Sequence, residues 1–355
     1  MIKWPKVLCL LILLLLQLLI PKVTLRANAQ ALKEKKPTEK ATQSSRAQGV
    51  EEGYVSTDDG TRLFYQKVGH GRQTVIIPGA LFLFNNLRQL TEGRTLIFYD
   101  MRGRGRSASI PDDRKSEMVS IYHDVKDVER IRRHFNVEKF SLIGYSYLGL
   151  MVVMYGMEHP GQVERIVQMG PVPLKFGTKY PDYLTNSDKL AEIGASPDEI
   201  AKVEKMLDEG YDKSNPKDFC EKQWQVTRFR LVGNPANVDK LGQGLCDLPN
   251  EWPVNLGKHF QHSFVSVQRL DIPRDKVAQV SIPVLTIHGT KDRNAPYGAG
   301  REWALMLPDA RLLTVKGAAH QSFAEYPEVV LPAIRTFLDG KWPAGSEKVT
   351  ATSQR

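Results

Sequence analysis

Residues 140–150, with the sequence FSLIGYSYLGL, constrain the fold of this chain more than any other stretch. Residues 140–143 form a short apolar run that predicts a buried strand, and residues 148–154 form a second run that predicts a helix packed against a sheet. The chain must turn sharply between them, at Gly144 and Ser146. A strand, a tight turn with a serine at its tip and a helix are the three parts of a nucleophile elbow.

The serine at the tip of this turn is a candidate nucleophile. A serine hydroxyl is weakly nucleophilic at neutral pH, and it becomes reactive when a turn holds it beside a base and a source of N–H donors. Such a turn favours small residues, and Gly144 meets that need. The pattern G-x-S-x-G has a second glycine where this chain has Leu148, and the next glycine is Gly149. The motif alone therefore leaves the elbow a hypothesis.

The rest of the chain alternates between predicted strands and predicted helices. It opens with a hairpin at residues 54–57 and 63–68. Apolar residues that recur on one side predict a helix over residues 118–135. This alternation predicts an α/β fold with a mostly parallel sheet and helices on both faces. The further strands are predicted at residues 74–77, 95–99, 163–169, 284–287 and 311–315, and the further helices at residues 300–307 and 327–338.

Two more polar residues stand where a serine nucleophile needs partners. Asp292 comes just after one predicted strand, and His320 comes just after the next. Because ligands of such sheets bind at the carboxyl ends of the strands, we expect both residues to lie near Ser146. A serine, an acid and a histidine in this order predict nucleophilic catalysis. Ser146 would attack an acyl carbonyl, His320 would take its proton and Asp292 would orient the imidazole.

The chain resembles the α/β-hydrolases over about residues 51–340. The resemblance implies a helical cap inserted into the core, an oxyanion hole made by the backbone N–H groups of Ala80 and Tyr147, and no metal or organic cofactor. The serine also argues against dehalogenase or epoxide hydrolase chemistry, for which this superfamily uses an aspartate. The motifs that carry it are the GYSYLG of residues 144–149, the D-x-R-G-x-G-x-S of residues 100–107, the G-x-x-D ending at Asp292 and the G-x-x-H ending at His320.

Within this superfamily the chain is most similar to the capped proline iminopeptidase-like group. Two departures argue against a peptidase. Residues 78–81 read PGAL where that group typically has a His-Gly-Gly-Pro-Gly stretch. The sequence after Trp224 also lacks the glutamate that holds a substrate amine in that group. We therefore expect an ester or amide substrate, small or a short peptide, with esters favoured.

Other functions remain open at this stage. A proline iminopeptidase-like aminopeptidase is one, and a non-catalytic ligand-binding protein on the same fold is another, which the leucine at position 148 favours. The same three residues could also serve perhydrolysis or the hydrolysis of a carbon–carbon bond.

The predicted core is interrupted by a segment of a different character. Residues 174–279 contain several one-sided helical pieces, and Ser196 to Glu199 forms a capping box with proline at the first helical position. We interpret this segment as the helical cap, between core parts at residues 51–173 and 280–340.

Five polar residues near the strand ends are predicted to have structural roles. The arginines Arg102, Arg104 and Arg106 brace loops, Asp100 is structural and His288 serves packing.

The two ends of the chain do not resemble parts of a fold. Residues 1–29 have a basic start, an apolar run and an A-x-A site, which predict a cleaved export signal and a periplasmic or extracellular protein; retention as a membrane anchor is the alternative. Residues 30–50 predict a flexible linker and residues 341–355 a flexible tail. In an oxidising compartment Cys220 and Cys246 could form a disulfide.

The formal net charge of +9 says little about partners. The charges of the two ends account for all of it, which leaves residues 51–340 electrically neutral. The sequence therefore predicts no nucleic-acid partner, and a membrane contact only through the signal before cleavage.

Overall fold

The computed structural model describes residues 49–350, which are built around a nine-stranded sheet in the order β1-β2-β4-β3-β5-β6-β7-β8-β9. Strands β3 to β8 are parallel to one another, and the two outer strands of this group also pair with antiparallel strands, β4 with β2 and β8 with β9. The strands are β1 Val50–Ser56, β2 Arg62–Val68, β3 Gln73–Pro78, β4 Arg94–Tyr99, β5 Phe140–Tyr145, β6 Val163–Met169, β7 Val284–Gly289, β8 Ala310–Val315 and β9 Ser346–Glu347.

Helices cover both faces of this sheet, as predicted. Helices α3, α4 and α10 pack on one face and α1 and α12 on the other, so the central strands β5 and β7 are buried along their whole length. Burial on both faces explains why these strands are continuous apolar runs. The helices are α1 Ala80–Leu87, α2 Lys115–Met118, α3 Ile121–His134, α4 Tyr147–Glu158, α5 Pro197–Asp208, α6 Tyr211–Ser214, α7 Pro216–Thr227, α8 Pro253–Gln268, α9 Arg274–Val277, α10 Tyr297–Met306, α11 Ser322–Glu325 and α12 Pro327–Leu338.

Two helix predictions need correction. The helix predicted over residues 118–135 is two helices, because Val119 is extended and the Ser120 hydroxyl accepts a hydrogen bond from the His123 N–H to begin α3. Apolar spacing continues across this break, so periodicity does not reveal it. Helix α1 was not predicted, since its eight residues follow directly on β3.

The segment between β6 and β7, residues 170–283, is here called the insertion. Its helices α5 and α7 bury an apolar cluster of their own, which includes Val203, Phe219 and Val226. Ser196 caps α5 as predicted, accepting the Glu199 N–H over 3.5 Å, but the Glu199 carboxylate binds Lys202, so only this half of the capping box is observed. The shorter 3-10 helices of the insertion are Asp182–Leu184, Leu190–Ile193, Arg228–Leu231, Pro235–Lys240, Leu245–Asp247 and Pro249–Glu251.

A disulfide bond joins Cys220 in α7 to Cys246, 26 residues further along the chain. Both cysteines are buried. The bond closes the loop between α7 and the segment that leads into α8, so it holds together the half of the insertion that contacts the core loops after β4.

The predicted flexible tail is wrong for residues 341–350. Ser346 and Glu347 pair with β8, Trp342 packs on Phe337, and Val349 is only 4% exposed. A two-residue strand carries no recognisable sequence pattern, and it covers what would otherwise be an open sheet edge.

The predicted export signal at residues 1–29 lies outside the described residues, as does the predicted linker up to residue 48. Val50 at the end of that linker belongs to β1. In residues 49–350 no helix has the length and apolar character needed to span a membrane.

Candidate active site

Ser146 occupies a strained turn between β5 and α4. Its φ of 56° and ψ of −124° lie in a region that residues with a side chain rarely adopt, and Asn136 is the only other non-glycine residue with positive φ in residues 49–350. Such strain costs about 1–3 kcal/mol and is concentrated at functional sites. The Ser146 N–H donates to the Met169 carbonyl over 2.9 Å, which ties the turn to β6. The structure therefore has the geometry expected of an elbow.

Leu148 fits this elbow although the usual pattern has glycine there. A Cβ atom at Gly144 would lie 2.3 Å from the Leu148 carbonyl oxygen, so the glycine before the serine is required. The Leu148 side chain is buried and packs on Gly79. A Cβ atom at position 79 would lie only 2.8 Å from the Leu148 Cδ1 atom. The leucine is therefore accommodated by the absence of a side chain on the facing loop.

Asp292 and His320 meet beyond the ends of β7 and β8. The His320 Nδ1 atom lies 2.7 Å from the Asp292 Oδ2 atom, and both side chains are buried. The His320 ring packs against the ring of Tyr145, the residue before Ser146, with 4.7 Å between centroids. A side chain at Gly170 would come within 3.2 Å of both the carboxylate and the imidazole. The three predicted residues thus lie at one edge of the sheet.

Two helix N-termini adjoin this edge. Ala80 is the first residue of α1 and Tyr147 the first residue of α4, so neither backbone N–H has an acceptor within its own helix. The buried Asp100 carboxylate accepts a hydrogen bond from the Leu81 N–H over 2.7 Å and another from the Arg106 N–H over 2.9 Å. Asp100 thereby fixes the start of α1, in agreement with the bracing role predicted for it.

Comparison with known proteins now places the chain. The family model for the alpha/beta hydrolase fold matches residues 78–327, which is more than half of the chain. The chain belongs to the α/β-hydrolase family. It is a hydrolase, and it is built on the fold that the sequence predicted.

The relatives of this α/β-hydrolase differ in their activities. It is 23% identical over 270 residues to a proline iminopeptidase of Lactobacillus helveticus, covering 70% of this chain and 81% of the relative. It is 23% identical over 295 residues to the AB hydrolase superfamily protein YisY of Bacillus subtilis, covering 80% and 98%. The structure of an esterase from Exiguobacterium antarcticum superposes with a TM-score of 0.59 at 16% identity, covering 81% of this chain and all of the esterase.

The carboxylate of this α/β-hydrolase has a second histidine partner that sequence reasoning assigned to packing. The His288 Nε2 atom lies 3.2 Å from Asp292 Oδ2 and 3.1 Å from the Ala295 carbonyl oxygen. Both neighbours are acceptors, so Nε2 must carry a hydrogen. Asp292 Oδ1 meanwhile accepts the N–H groups of Asn294 and Ala295 over 2.8 and 2.9 Å. The carboxylate is therefore held on both oxygen atoms.

These contacts determine the ionisation of Asp292. Burial alone would raise the pKa of its carboxyl, but the positive charge of His320 and the hydrogen bonds from His288 and His320 outweigh burial and hold the pKa well below its usual range. A carboxyl whose pKa is depressed by folding stabilises the folded protein at every pH above its ordinary pKa, about 4. This stabilisation is lost progressively as the pH falls below about 4 towards the depressed pKa. Asp292 is thus a carboxylate at neutral pH.

The core loop after β4 is joined to the insertion by buried charges. Arg104 donates to both oxygen atoms of Glu251 over 2.9 and 2.7 Å, and the same carboxylate accepts the Gly105 N–H over 2.8 Å. Arg102 in the same loop forms a two-bond ion pair with Asp127. These arginines brace loops, as predicted.

Tyr147 is anchored through its side chain as well. Its hydroxyl donates to Asp124 Oδ2 over 2.5 Å, and its ring faces Phe264 of α8 with 6.2 Å between centroids. Burial raises the pKa of Asp124 to about 7, even though the hydrogen bond from Tyr147 and the nearby arginines Arg102 and Arg104 oppose that rise. No sequence pattern indicates this contact, because Asp124 has the position of an ordinary acid in the first turn of a helix.

Glu325 connects the insertion to the loop that carries His320, a role that the sequence analysis did not predict. Its fully buried carboxylate accepts the Gly233 N–H over 2.9 and 3.0 Å and the Asn234 N–H over 2.9 Å, both from the insertion. It also accepts the N–H of Ala319, the residue before His320, over 3.0 Å. One side chain thus positions both segments.

No group of three or more histidine, cysteine, aspartate or glutamate side chains in residues 49–350 is arranged to hold a metal ion.

Proposed function

We propose that this α/β-hydrolase is a serine hydrolase that cleaves an ester or amide bond through an acyl-enzyme on Ser146. The observation that carries the proposal is the 2.7 Å contact between His320 and Asp292, with the His320 ring packed on Tyr145, the residue before a serine held at positive φ. A strained serine next to an oriented imidazole is the arrangement that nucleophilic catalysis requires.

In the proposed reaction each residue has one role. The Ser146 hydroxyl attacks the acyl carbonyl while His320 takes its proton, and Asp292 orients the imidazole and stabilises its charged form. His320 then gives the proton to the leaving alcohol or amine, and the acyl group stays on the serine. Water, activated by the same imidazole, releases the acid and restores the enzyme.

Two further features support this reaction. The N–H groups of Ala80 and Tyr147 would stabilise the oxyanion, each contributing on the order of 3 kcal/mol. The insertion contacts the loops after β4, β7 and β8, for example through Glu251, Asn186 and Gly233. Since these loops surround the three polar residues, the insertion would act as a cap that admits a small-molecule or short peptide substrate.

The test is covalent labelling with a fluorophosphonate probe. We expect one probe molecule per folded enzyme on Ser146, and no labelling of Ser146→Ala, because the probe reacts only with an activated serine. Ser141→Ala is the matched control. The Ser141 hydroxyl is buried in β5 and has no hydrogen-bond partner among the described residues, so this variant should be labelled as the wild type is. Folded protein that does not react would refute the proposed serine mechanism.

A proline iminopeptidase-like aminopeptidase is the second candidate, supported by the similarity to the Lactobacillus enzyme. An aminopeptidase needs a carboxylate that is free to bind the substrate amine. The buried Glu251 of the insertion is already bound by Arg104 and Gly105. We therefore favour ester substrates, and a comparison of 4-nitrophenyl butyrate with proline 4-nitroanilide decides between the two.

We further propose that the protein is exported, to the periplasm or beyond the cell. The predicted signal at residues 1–29 motivates this, and the disulfide between Cys220 and Cys246 supports it, because such bonds persist in oxidising compartments. N-terminal sequencing of the mature protein should begin at Gln30; an intact Met1 in the membrane fraction would indicate an uncleaved anchor instead.

A further inference from the structure

Arg230, in the insertion, forms no ion pair with a carboxylate in the part of the chain that the structure describes. Its Nη2 atom donates to the Arg293 carbonyl oxygen over 3.2 Å, which fixes the plane of the guanidinium. Its Nε atom is buried and has no hydrogen-bond acceptor among the described residues. A buried donor without an acceptor is destabilising, so an arginine in this state calls for an explanation.

The position of Arg230 places it at the proposed active site. Its guanidinium contacts Arg293, the residue after Asp292. The next residue in the chain, Leu231, accepts through its carbonyl oxygen the N–H of Gln321, the residue after His320, over 3.0 Å. Arg230 therefore lies where the insertion crosses the two loops that carry the proposed acid and base.

The charge of Arg230 is not neutralised by its surroundings. Arg293 beside it is paired with Asp188 over 2.8 Å, and Asp292 is held by two histidines. Burial lowers the pKa of Arg230 and the charge of Arg293 lowers it further, with only Asp292 acting in the opposite direction. An uncompensated charge near a reaction centre is more often functional than structural.

A second unpaired donor belongs to the same short segment. The Nε1 atom of Trp224 is buried without an acceptor among the described residues, and its ring packs against the apolar cluster on the α1 and α12 face of the sheet. The Nε atom of Arg228, between them, is likewise buried without an acceptor among the described residues, but its Nη1 atom is paired with the Asp239 carboxylate at 3.1 Å, which the guanidinium of Arg230 is not. The segment thus offers N–H donors and a positive charge, the combination that recognises a carboxylate.

We propose that Arg230, together with the Trp224 indole, forms a subsite for an anionic group, so that the preferred substrates are esters or amides bearing a free carboxylate near the scissile bond. This rests on the proposed function for the reaction itself. The binding of the carboxylate does not depend on turnover and can be tested separately.

The kinetic test compares mono-4-nitrophenyl glutarate, which carries a carboxylate, with neutral 4-nitrophenyl butyrate. We expect Arg230→Gln to lower the ratio of kcat/KM for the anionic over the neutral ester by about 10- to 100-fold, the effect of losing a charge-assisted contact. Arg230→Lys, which keeps the charge, should retain part of the preference. Arg228→Gln is the matched control and should leave the ratio within about 2-fold of wild type. An unchanged ratio in Arg230→Gln would overturn the proposal.

The binding test uses Ser146→Ala, which cannot turn over substrate. Titration calorimetry should show glutarate binding to this variant and no binding of glutaramide, and the double variant Ser146→Ala/Arg230→Gln should bind glutarate at least about 10-fold more weakly. If glutarate binding depends on Arg230 but the wild-type protein is not labelled by the fluorophosphonate, the serine hydrolase is refuted and the anion subsite stands. Normal labelling with glutarate binding that ignores Arg230 would refute the subsite alone.

Discussion

The Asp292→Asn variant is expected to lower kcat for ester hydrolysis by about 10⁴-fold while it folds normally and keeps its KM. The reason lies in how the two oxygen atoms of Asp292 are used. Oδ1 accepts two backbone N–H groups, so the amide oxygen of asparagine will occupy that position. The amide NH₂ group must then face His320 where the Oδ2 atom stands now, 2.7 Å from Nδ1. A donor at this position forces Nδ1 to accept, and the hydrogen moves to Nε2, where the imidazole can no longer take the proton of Ser146.

His288 provides the comparison that makes this experiment specific. It contacts the same Asp292 oxygen but not the serine, so we expect His288→Gln, which keeps a donor, to lower kcat by less than about 10-fold. Burst and steady-state kinetics with 4-nitrophenyl butyrate measure both variants, and circular dichroism verifies their folding. A loss of less than about 10-fold in Asp292→Asn would contradict the proposed triad.

The positions of the proposed triad could be predicted because they follow from local pattern. Ser146, Asp292 and His320 each come directly after an apolar strand, and parallel strands bring their carboxyl ends to one edge. The same reasoning placed Ala80 and Tyr147 at that edge. Their proposed role as oxyanion donors came from the family resemblance.

The residues that the sequence did not reveal all depend on contacts between distant segments. Glu325 lies in a four-residue helix, and its role becomes visible only when Gly233 of the insertion is placed against it. Arg230 is unusual only because the charged side chains near it are already paired with other residues. Such roles arise from the packing of the insertion, which has no periodic pattern that fixes its placement.

The insertion is held to the core by groups that belong to the loops carrying the proposed acid and base. A Cβ atom at Gly233 would lie 1.8 Å from the Gly317 carbonyl oxygen, so only glycine allows this approach to the loop that carries His320. The Glu325 carboxylate accepts backbone N–H groups from both segments. Movement of the insertion would therefore be transmitted to the imidazole, and the strength of this link can be measured by removing one side chain.

Removal of the Glu325 carboxylate is expected to give the largest loss of stability of any single substitution considered for this protein. Glu325→Ala leaves two buried N–H donors without their acceptor, those of Gly233 and Ala319, and two partly buried ones, the Asn234 N–H and the Asn237 side chain. Each unpaired buried donor costs about 1–3 kcal/mol, so the two buried ones should lower the free energy of unfolding by about 2–6 kcal/mol. Urea unfolding followed by tryptophan fluorescence measures the loss.

Glu325→Gln tests whether the carboxylate also positions His320. Glutamine keeps one acceptor but turns its NH₂ group towards N–H donors, so we expect a smaller loss of stability together with a fall in kcat of about 10-fold and an unchanged KM, since the Ala319 N–H loses its fixed partner. Glu328→Gln is the matched control, because Glu328 is exposed on α12 only three residues away and should change stability by less than about 0.5 kcal/mol. If Asn237→Ala, which removes a donor outside the histidine loop, lowers kcat as much as Glu325→Gln, then Glu325 supports the insertion without acting on the imidazole. A fall in kcat confined to Glu325→Gln would show that the carboxylate orients the base through Ala319.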